Sequence, residues 1–464
     1  MHALRKYLAD HAEPEIALAR AVTGKYGRTL VVPACREEPE FVRGYVTAAE
    51  TSRGRTLCVV VVNGSDEAGC SVHAENQVLL EGLRGALHDV RALPGGPPAW
   101  LGALVPGELD VLVVDRASPG FFVPRKEGVG LARKIGTDVA LALYDAGHVA
   151  SRFSFSTDAD ATLPPAHFEM PDVEERLDVA AVVFPFWHEA ALDASVTRAT
   201  AHYELSLRYY VLGLGGARSP YAFHTLGSAT AVSAEAYAAV RGYPKREAAE
   251  DFYLLNKIAK VGAVFASSGM PVRLRSRVSD RTPFGTGRRV AEALEGGEPS
   301  FYAPRIFDVL GRWLALLRRF SRHGDVSRLY ADLDGFPGDE RTVILDLLRE
   351  LDARPAFEAA SREAKMPAAR FRRVASWFDA FRTLKLVHAL RDAGHPNVPW
   401  RRALAESPFV PLVAKAPADP SGVLVATRYA FESAERELPS FRGAAVAGAA
   451  GVVEEPIASS AAGD

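Results

Sequence analysis

The chain has 464 residues, 48% hydrophobic and 24% charged, with a formal net charge of −2 at neutral pH. That length exceeds one ordinary core and predicts two folded units. The near-neutral balance excludes a nucleic-acid binder that relies on a basic surface. Three cysteines, Cys35, Cys58 and Cys70, lack metal-ligand spacing and cannot all pair internally, which fits a reducing, cytoplasmic compartment. The opening "MHALRKYLADHAEPEIALARAV" mixes charges throughout and lacks the apolar core of a secretory signal. No uninterrupted apolar run reaches the length, about 18 residues, that a membrane span needs.

Residues 1–27 read as a helical lead-in. "RTLVVPACREE", "TLCVVVVNGSDEAG", "LDVLVVDRASPG" and "SRFSFSTDAD" then repeat one design, an apolar run closed by polar turn residues. Helical stretches lie between them: "EFVRGYVTAAE", "SVHAENQVLLEGLRGAL" and "GVGLARKIGTDVALALYDAG". Val/Leu strands alternating with helices predict an α/β fold with a mostly parallel sheet covered on both faces. In such sheets ligands sit at the carboxyl ends of the strands. Glu37, Asn63, Ser65, Asp66, Asp115, Asp158 and Asp160 all fall at such ends.

After residue 165 the rhythm changes. "DVAAVVFPFWHE" and "YAFHTLGSATAVS" predict strands, and a long helix is expected over much of 192–212. Ser233 caps a helix predicted to run to Arg241 and stop at Gly242, and another begins near Glu250 and ends before Gly262. From about residue 301 the apolar residues recur at three- and four-residue steps and strands are no longer expected. Residues 301–440 therefore read as a mainly helical C-terminal region, and 441–464, rich in small residues, as a disordered tail.

Two acidic pairs carry chemistry. In "FSFSTDADATLPP", strand geometry would turn Asp158 and Asp160 to the same face. Their mutual repulsion would be relieved by a hard cation, Mg²⁺ or Mn²⁺. The plain alternative is a solvated turn. In "REAAEDFYLLNKIAKVG", Phe252, Leu255 and Ile258 mark the buried face of a helix whose first turn holds Glu250 and Asp251. The helix dipole would keep both carboxylates ionised at neutral pH. Acidic residues at helix starts also serve stability alone.

The order "LVVPACREEPE", "VVVVNGSDEA", "STDADATLP", then "GSATAVSAEAYAAVRGYPKREAAEDFYLLNKIAKVG" resembles glycosyltransferase family 2, nucleotide-sugar transferases of GT-A fold, over roughly residues 28–275. The resemblance implies a Rossmann-like GT-A domain over 28–300 that transfers one sugar from a nucleotide-diphosphate sugar to a hydroxyl acceptor. It implies that Pro33 and Glu37 lie near the nucleotide, and that Asp66, with Asn63 at the same strand end, receives the base or ribose. "RKEGVGLARKIG" would pass under the nucleotide, with Lys126, Gly128, Gly130 and Arg133 beside it. Asp158 and Asp160 would hold Mg²⁺ or Mn²⁺ on the diphosphate. Asp251, paired with Glu250, would be the base of an inverting transfer. No Gln-x-x-Arg-Trp segment or membrane helices follow, which argues against polymer extrusion. "RLRSRVSDRTPFGTGRRV" instead carries Arg277, Arg281, Arg288 and Arg289, either a loop closing over the diphosphate or a solvated basic loop.

Other readings stay open. A retaining GT-A transferase acting on glycerate or phosphoglycerate would not need Asp251 as a base. A non-catalytic nucleotide- or carbohydrate-binding module would keep the fold alone. A nucleotidyltransferase is disfavoured, because "PACREEPE" has no glycine. His188 and His224 are read first as structural histidines, and Trp187 as core. Arg312, Arg318, Arg319 and Arg322 either face water on a packed helix or meet anionic lipid in a peripheral association. Trp377, Phe381 and Leu384 are expected in the core.

Overall fold

The computed structural model describes residues 2–170, 173–277, 298–411, 430–431 and 433–435. The fold is mixed α/β. Strands β1 (Arg28–Ala34), β2 (Thr56–Asn63), β3 (His88–Leu93), β4 (Ala99–Val105), β5 (Leu109–Arg116) and β6 (Phe153–Ser156) come first in the chain. β7 (Ala161–Thr162), β8 (Val179–Val183), β9 (Phe186–His188), β10 (Thr230–Ser233), β11 (Ala263–Ala266) and β12 (Val272–Leu274) follow. Nine of them form one sheet in the order β11-β8-β10-β6-β1-β2-β5-β4-β3, and β7-β12-β9 make a small second sheet.

Parallel pairing runs through the centre, β6-β1-β2-β5, with Val31 opposite Val59 and Val60 opposite Val113. The flanks differ from the expected mostly parallel sheet. β10 lies antiparallel between β6 and β8, and β3-β4-β5 form an antiparallel meander on the other side. The hairpin turn at "PGGPP" interrupts a segment whose alternation is too irregular to read as strands.

β1 is buried along its whole length, and β2 and β5 along all but their last residue. Their alternate side chains feed two cores. Val60, Val62, Val111 and Val113 pack on one face with Leu79 and Leu83 of helix Cys70–Gly85. Val59, Val61, Leu112 and Val114 pack on the other with Leu131, Ile135 and Val139 of helix Gly128–Asp145. Each such buried aliphatic side chain contributes about 1.5–3 kcal/mol relative to exposure. The second helix lies hard against β1: a Cβ on Gly136 would come within 2.5 Å of Val31 Cγ1. That contact fixes where Arg133, one turn earlier, projects.

Helix Ala194–Gly216 fills the expected 192–212 span. Ser233 caps helix Ala234–Ala239, its Oγ accepting from Ala236 N, and helix Glu250–Ile258 follows. In "YAFHTLGSATAVS" only Thr230–Ser233 is strand, and residues before it form a loop and a short 3-10 turn. Beyond residue 301 the described residues are mainly helical, around Trp313 on helix Pro304–His323. Strands do not vanish there, since Ser300–Phe301 pairs with Val398–Pro399. Phe301, Trp400 and Phe431 pack against Leu205, Tyr209 and Leu212, joining this region to the α/β half. Phe381 is 37% exposed and lies tilted against Tyr253, not in the core as expected, while Trp377 is half-buried beneath Arg382. Arg281, Arg288, Arg289 and the tail 441–464 lie outside the described residues.

Candidate active site

The two acidic pairs, far apart in the chain, meet at one buried guanidinium. Arg133 is 3% exposed and projects from helix Gly128–Asp145 to the carboxyl ends of β1 and β6. Its Nε donates to Glu250 Oε1 at 2.8 Å, and its other nitrogens donate to Ser156 Oγ at 2.6 Å, to Gly227 O at 3.1 Å and to Asp158 Oδ1. Burial alone would lower the proton affinity of the guanidinium, but Asp158 and Glu250 outweigh it and raise it further. Such fixed, multiply bonded arginine geometry is what a planar fork of donors provides.

Asp251 sits beside this centre, half-buried. Gly227 N donates to its Oδ2 at 2.7 Å and Phe252 N to its Oδ1 at 2.6 Å. Burial first, and then the neighbouring Glu250 carboxylate, push Asp251 up to about 7, against the pull of Arg133 and the two amides. Sequence reasoning expected both carboxylates to stay ionised on the helix dipole. For Asp251 that fails, because desolvation and a like charge exceed what a helix end of a few residues supplies.

Asp158 and Asp160 do not lie in a strand. β6 ends at Ser156, and Ala161 N closes a turn on Asp158 O at 3.1 Å. The carboxylates therefore point to different cations. Asp158, its side chain 40% exposed, meets Arg133, and Asp160 meets Arg277 at 2.8 Å. Arg277 also grips Glu37 in a two-pronged pair at 2.7 and 2.9 Å. Glu37, at the end of β1, thus faces Asp160 across one guanidinium. Burial lowers the proton affinity of Arg277, and the Glu37 and Asp160 carboxylates more than restore it.

Among the described residues no group of three or more His, Cys, Asp or Glu side chains could hold a metal ion unaided. Asp158 and Asp160 offer hard oxygens in a partly open turn. That donor set fits a Mg²⁺- or Mn²⁺-type cation that keeps waters and completes its shell with phosphate oxygens.

The remaining expected residues divide. Pro33 is buried within β1, and Asn63 ends β2 with its carbonyl accepting from Asn76. Asp66 and Lys126 are exposed near the same edge of the sheet, and Glu67 pairs there with Arg125 at 3.1 Å. The glycines of "EGVGLARKIG" serve packing more directly than a nucleotide. A Cβ on Gly130 would lie 2.6–2.7 Å from Pro244 O, Arg246 N and Arg246 O. Gly130 N already donates to Arg246 O, and Gly128 meets Glu247 closely. Arg133 is likewise a buried counter-ion and not a group open to a nucleotide. His188 bonds Glu204 at 3.0 Å and His224 bonds Glu435 at 2.9 Å, so both are structural as first read. Sequence reasoning missed Gly227, whose amide holds Asp251, and Glu435, whose carboxylate is held by Arg208 at 2.9 Å. A lone glycine and one acidic residue in a helical region carry no signal for either role.

No protein-family model matches the chain, and no curated protein does. Among solved structures it is similar to the mannosyltransferase PcManGT from Pyrobaculum calidifontis, determined in complex with GDP-Man and Mn²⁺. The two are 17% identical over 82% of this chain and 92% of that one, with a TM-score of 0.30. At that score the likeness assigns neither fold nor activity here.

Proposed function

We propose that the chain is a glycosyltransferase of GT-A type that moves one sugar from a nucleotide-diphosphate sugar to a hydroxyl acceptor with inversion. The observation that carries this reading is the buried Arg133, which ties Asp158 of the "TDAD" turn to Glu250 beside Asp251. A turn of half-open carboxylates and a carboxyl with pKa about 7 then stand on either side of one cationic post. General bases work best with a pKa near the working pH.

In the transfer, Asp251 takes the proton of the acceptor hydroxyl as that oxygen bonds to the anomeric carbon. The sugar–phosphate bond breaks, and its electron pair leaves with the diphosphate. Glu250, fixed by Arg133, keeps the base's affinity for that proton high. Asp158 and Asp160 are the residues that would hold Mg²⁺ or Mn²⁺, which when bound supplies Lewis-acid stabilisation of the departing diphosphate. Arg277, which holds Asp160 at 2.8 Å, would exchange that bond for phosphate oxygens.

Isothermal titration with a panel of nucleoside diphosphates and their sugars, in Mn²⁺ and then in EDTA, tests the reading. Binding of one nucleotide that disappears with EDTA and in Asp160→Ala supports it and names the donor. No binding in either condition removes it.

A further inference from the structure

A cavity of about 80 Å³ lies between helix Ala194–Gly216, the loop before Gly227, helix Glu250–Ile258 and helix Ala380–Asp392. Its floor is apolar, with Val211, Leu214 and Phe223 buried. Its half-buried lining residues are Leu207, Tyr210, His224, Thr225, Phe252 and Ala380. Two of these residues neighbour the proposed base in the chain: Phe252 follows Asp251, and Thr225 stands two residues before Gly227, whose amide holds the Asp251 carboxylate at 2.7 Å.

The buried polar side chains around the cavity are engaged, with one exception. Tyr221 OH donates to Ala375 O, Asn256 bonds Asp379 and Ala380 N, and His224 bonds Glu435. Thr383 is the exception. It is 1% exposed, and its Oγ1 has no hydrogen-bond partner among the described residues. An unsatisfied buried hydroxyl costs about 1–3 kcal/mol, which a hydrogen-bonding group brought into the cavity would recover. A dry cavity of about 150 Å³ accepts benzene, so this smaller one suits a short alkyl chain and excludes a hexose ring.

We propose that this cavity is the acceptor's specificity pocket, and that it takes a short aliphatic arm carrying one hydrogen-bonding group for Thr383. The assignment rests on the transferase reading above. The acceptor is then an aliphatic alcohol, or a larger molecule with such an arm beside its reacting hydroxyl. An acceptor that presents only sugar rings does not fit.

Methyl NMR of the full chain tests the pocket without turnover, using 1-propanol, 1-butanol and glucose as probes. The two alcohols should produce saturable shifts in the Val211 and Leu214 methyls, and glucose none. Ala380→Leu, which fills the pocket, should abolish the shifts. Thr383→Val, which removes only the hydroxyl, should weaken alcohol binding about fivefold, the loss of one hydrogen bond. Absent alcohol shifts, or shifts unchanged in Ala380→Leu, overturn the assignment of the cavity. Alcohol shifts in a protein that binds no nucleotide overturn its role as an acceptor pocket through the transferase reading, and the two failures are thus told apart. Donor consumption at least about tenfold faster with 1-butanol than with glucose as acceptor completes the support, since burying each methylene is worth about 0.8 kcal/mol.

Discussion

Replacing Asp251 by Asn should shift stability in the variant's favour as pH rises from 5 to 8. The carboxyl has an ordinary value of 3.8 and a native value of about 7. A raised carboxyl binds its proton in the native state where the unfolded chain has already released it. Its ionisation penalty is therefore absent below pH 3.8, grows as pH rises, and is complete above about 7. At about 1.4 kcal/mol per tenfold change in proton affinity, the full penalty is about 4 kcal/mol, and more than half of it develops between pH 5 and pH 8. Residual exposure of Asp251 reduces these figures toward about half. The Asn variant has no such dependence but leaves one of the Gly227 and Phe252 amides facing an NH₂ group, an offset of about 1–3 kcal/mol at every pH. The stability of the variant relative to the parent should thus rise by about 1–3 kcal/mol from pH 5 to pH 8 in urea denaturation. A gap that stays constant with pH would refute the claim that desolvation and Glu250 raise this group. The same carboxyl should set the acid limb of the turnover profile, with the rate rising through about pH 7 as Asp251 becomes the free base.

Arg133→Met should cost about 3–5 kcal/mol, because Asp158 and Glu250 lose a buried partner, with a larger loss at pH 8 than at pH 5 in urea denaturation. Asp158→Asn frees the Arg133 charge for Glu250 and Asp251, so the acid limb of the turnover profile should move below about 7; an upward move would refute the coupling. Gly130→Ala puts a methyl 2.6–2.7 Å from the backbone of Pro244 and Arg246, and should lower stability by about 1–3 kcal/mol as the loop gives way, read by the urea midpoint.

The central strands were legible because β1, β2 and β5 are buried on both faces and therefore read as continuous Val/Leu runs. The β3–β4 hairpin was not, since its first strand exposes most of its residues and its turn is a Gly-Pro run. At the site Asp158, Asp160, Glu250 and Asp251 stood out through their pairing together with the order of segments that resembles a known family. Their electrostatics did not, because which carboxylate meets which cation depends on a helix pressed onto β1 at Gly136 and on a loop amide at Gly227. Those contacts join segments with no common periodicity. Arg133 shows the limit most plainly: its place in a glycine-rich helix start suggests a phosphate ligand, whereas three-dimensional packing makes it a post buried under the carboxylates.

The charge balance of the site gives the proposed cation its physical reason. Glu37, Asp158, Asp160, Glu250 and Asp251 gather around Arg133 and Arg277. Five carboxylates to two guanidiniums leave three negative charges in excess, or two while Asp251 keeps its proton. A diphosphate brought to that edge adds further negative charge, and at a few ångströms each like-charge pair opposes binding by about 1 kcal/mol in water and several times more near a protein surface. Arg277 alone cannot offset this, because it already serves Glu37 and Asp160. A divalent cation held by the Asp158–Asp160 turn would neutralise the diphosphate and leave Arg277 available to it. By the same balance, the carboxyl that keeps its proton near pH 7 is the one the site can use as a base once that extra positive charge has arrived.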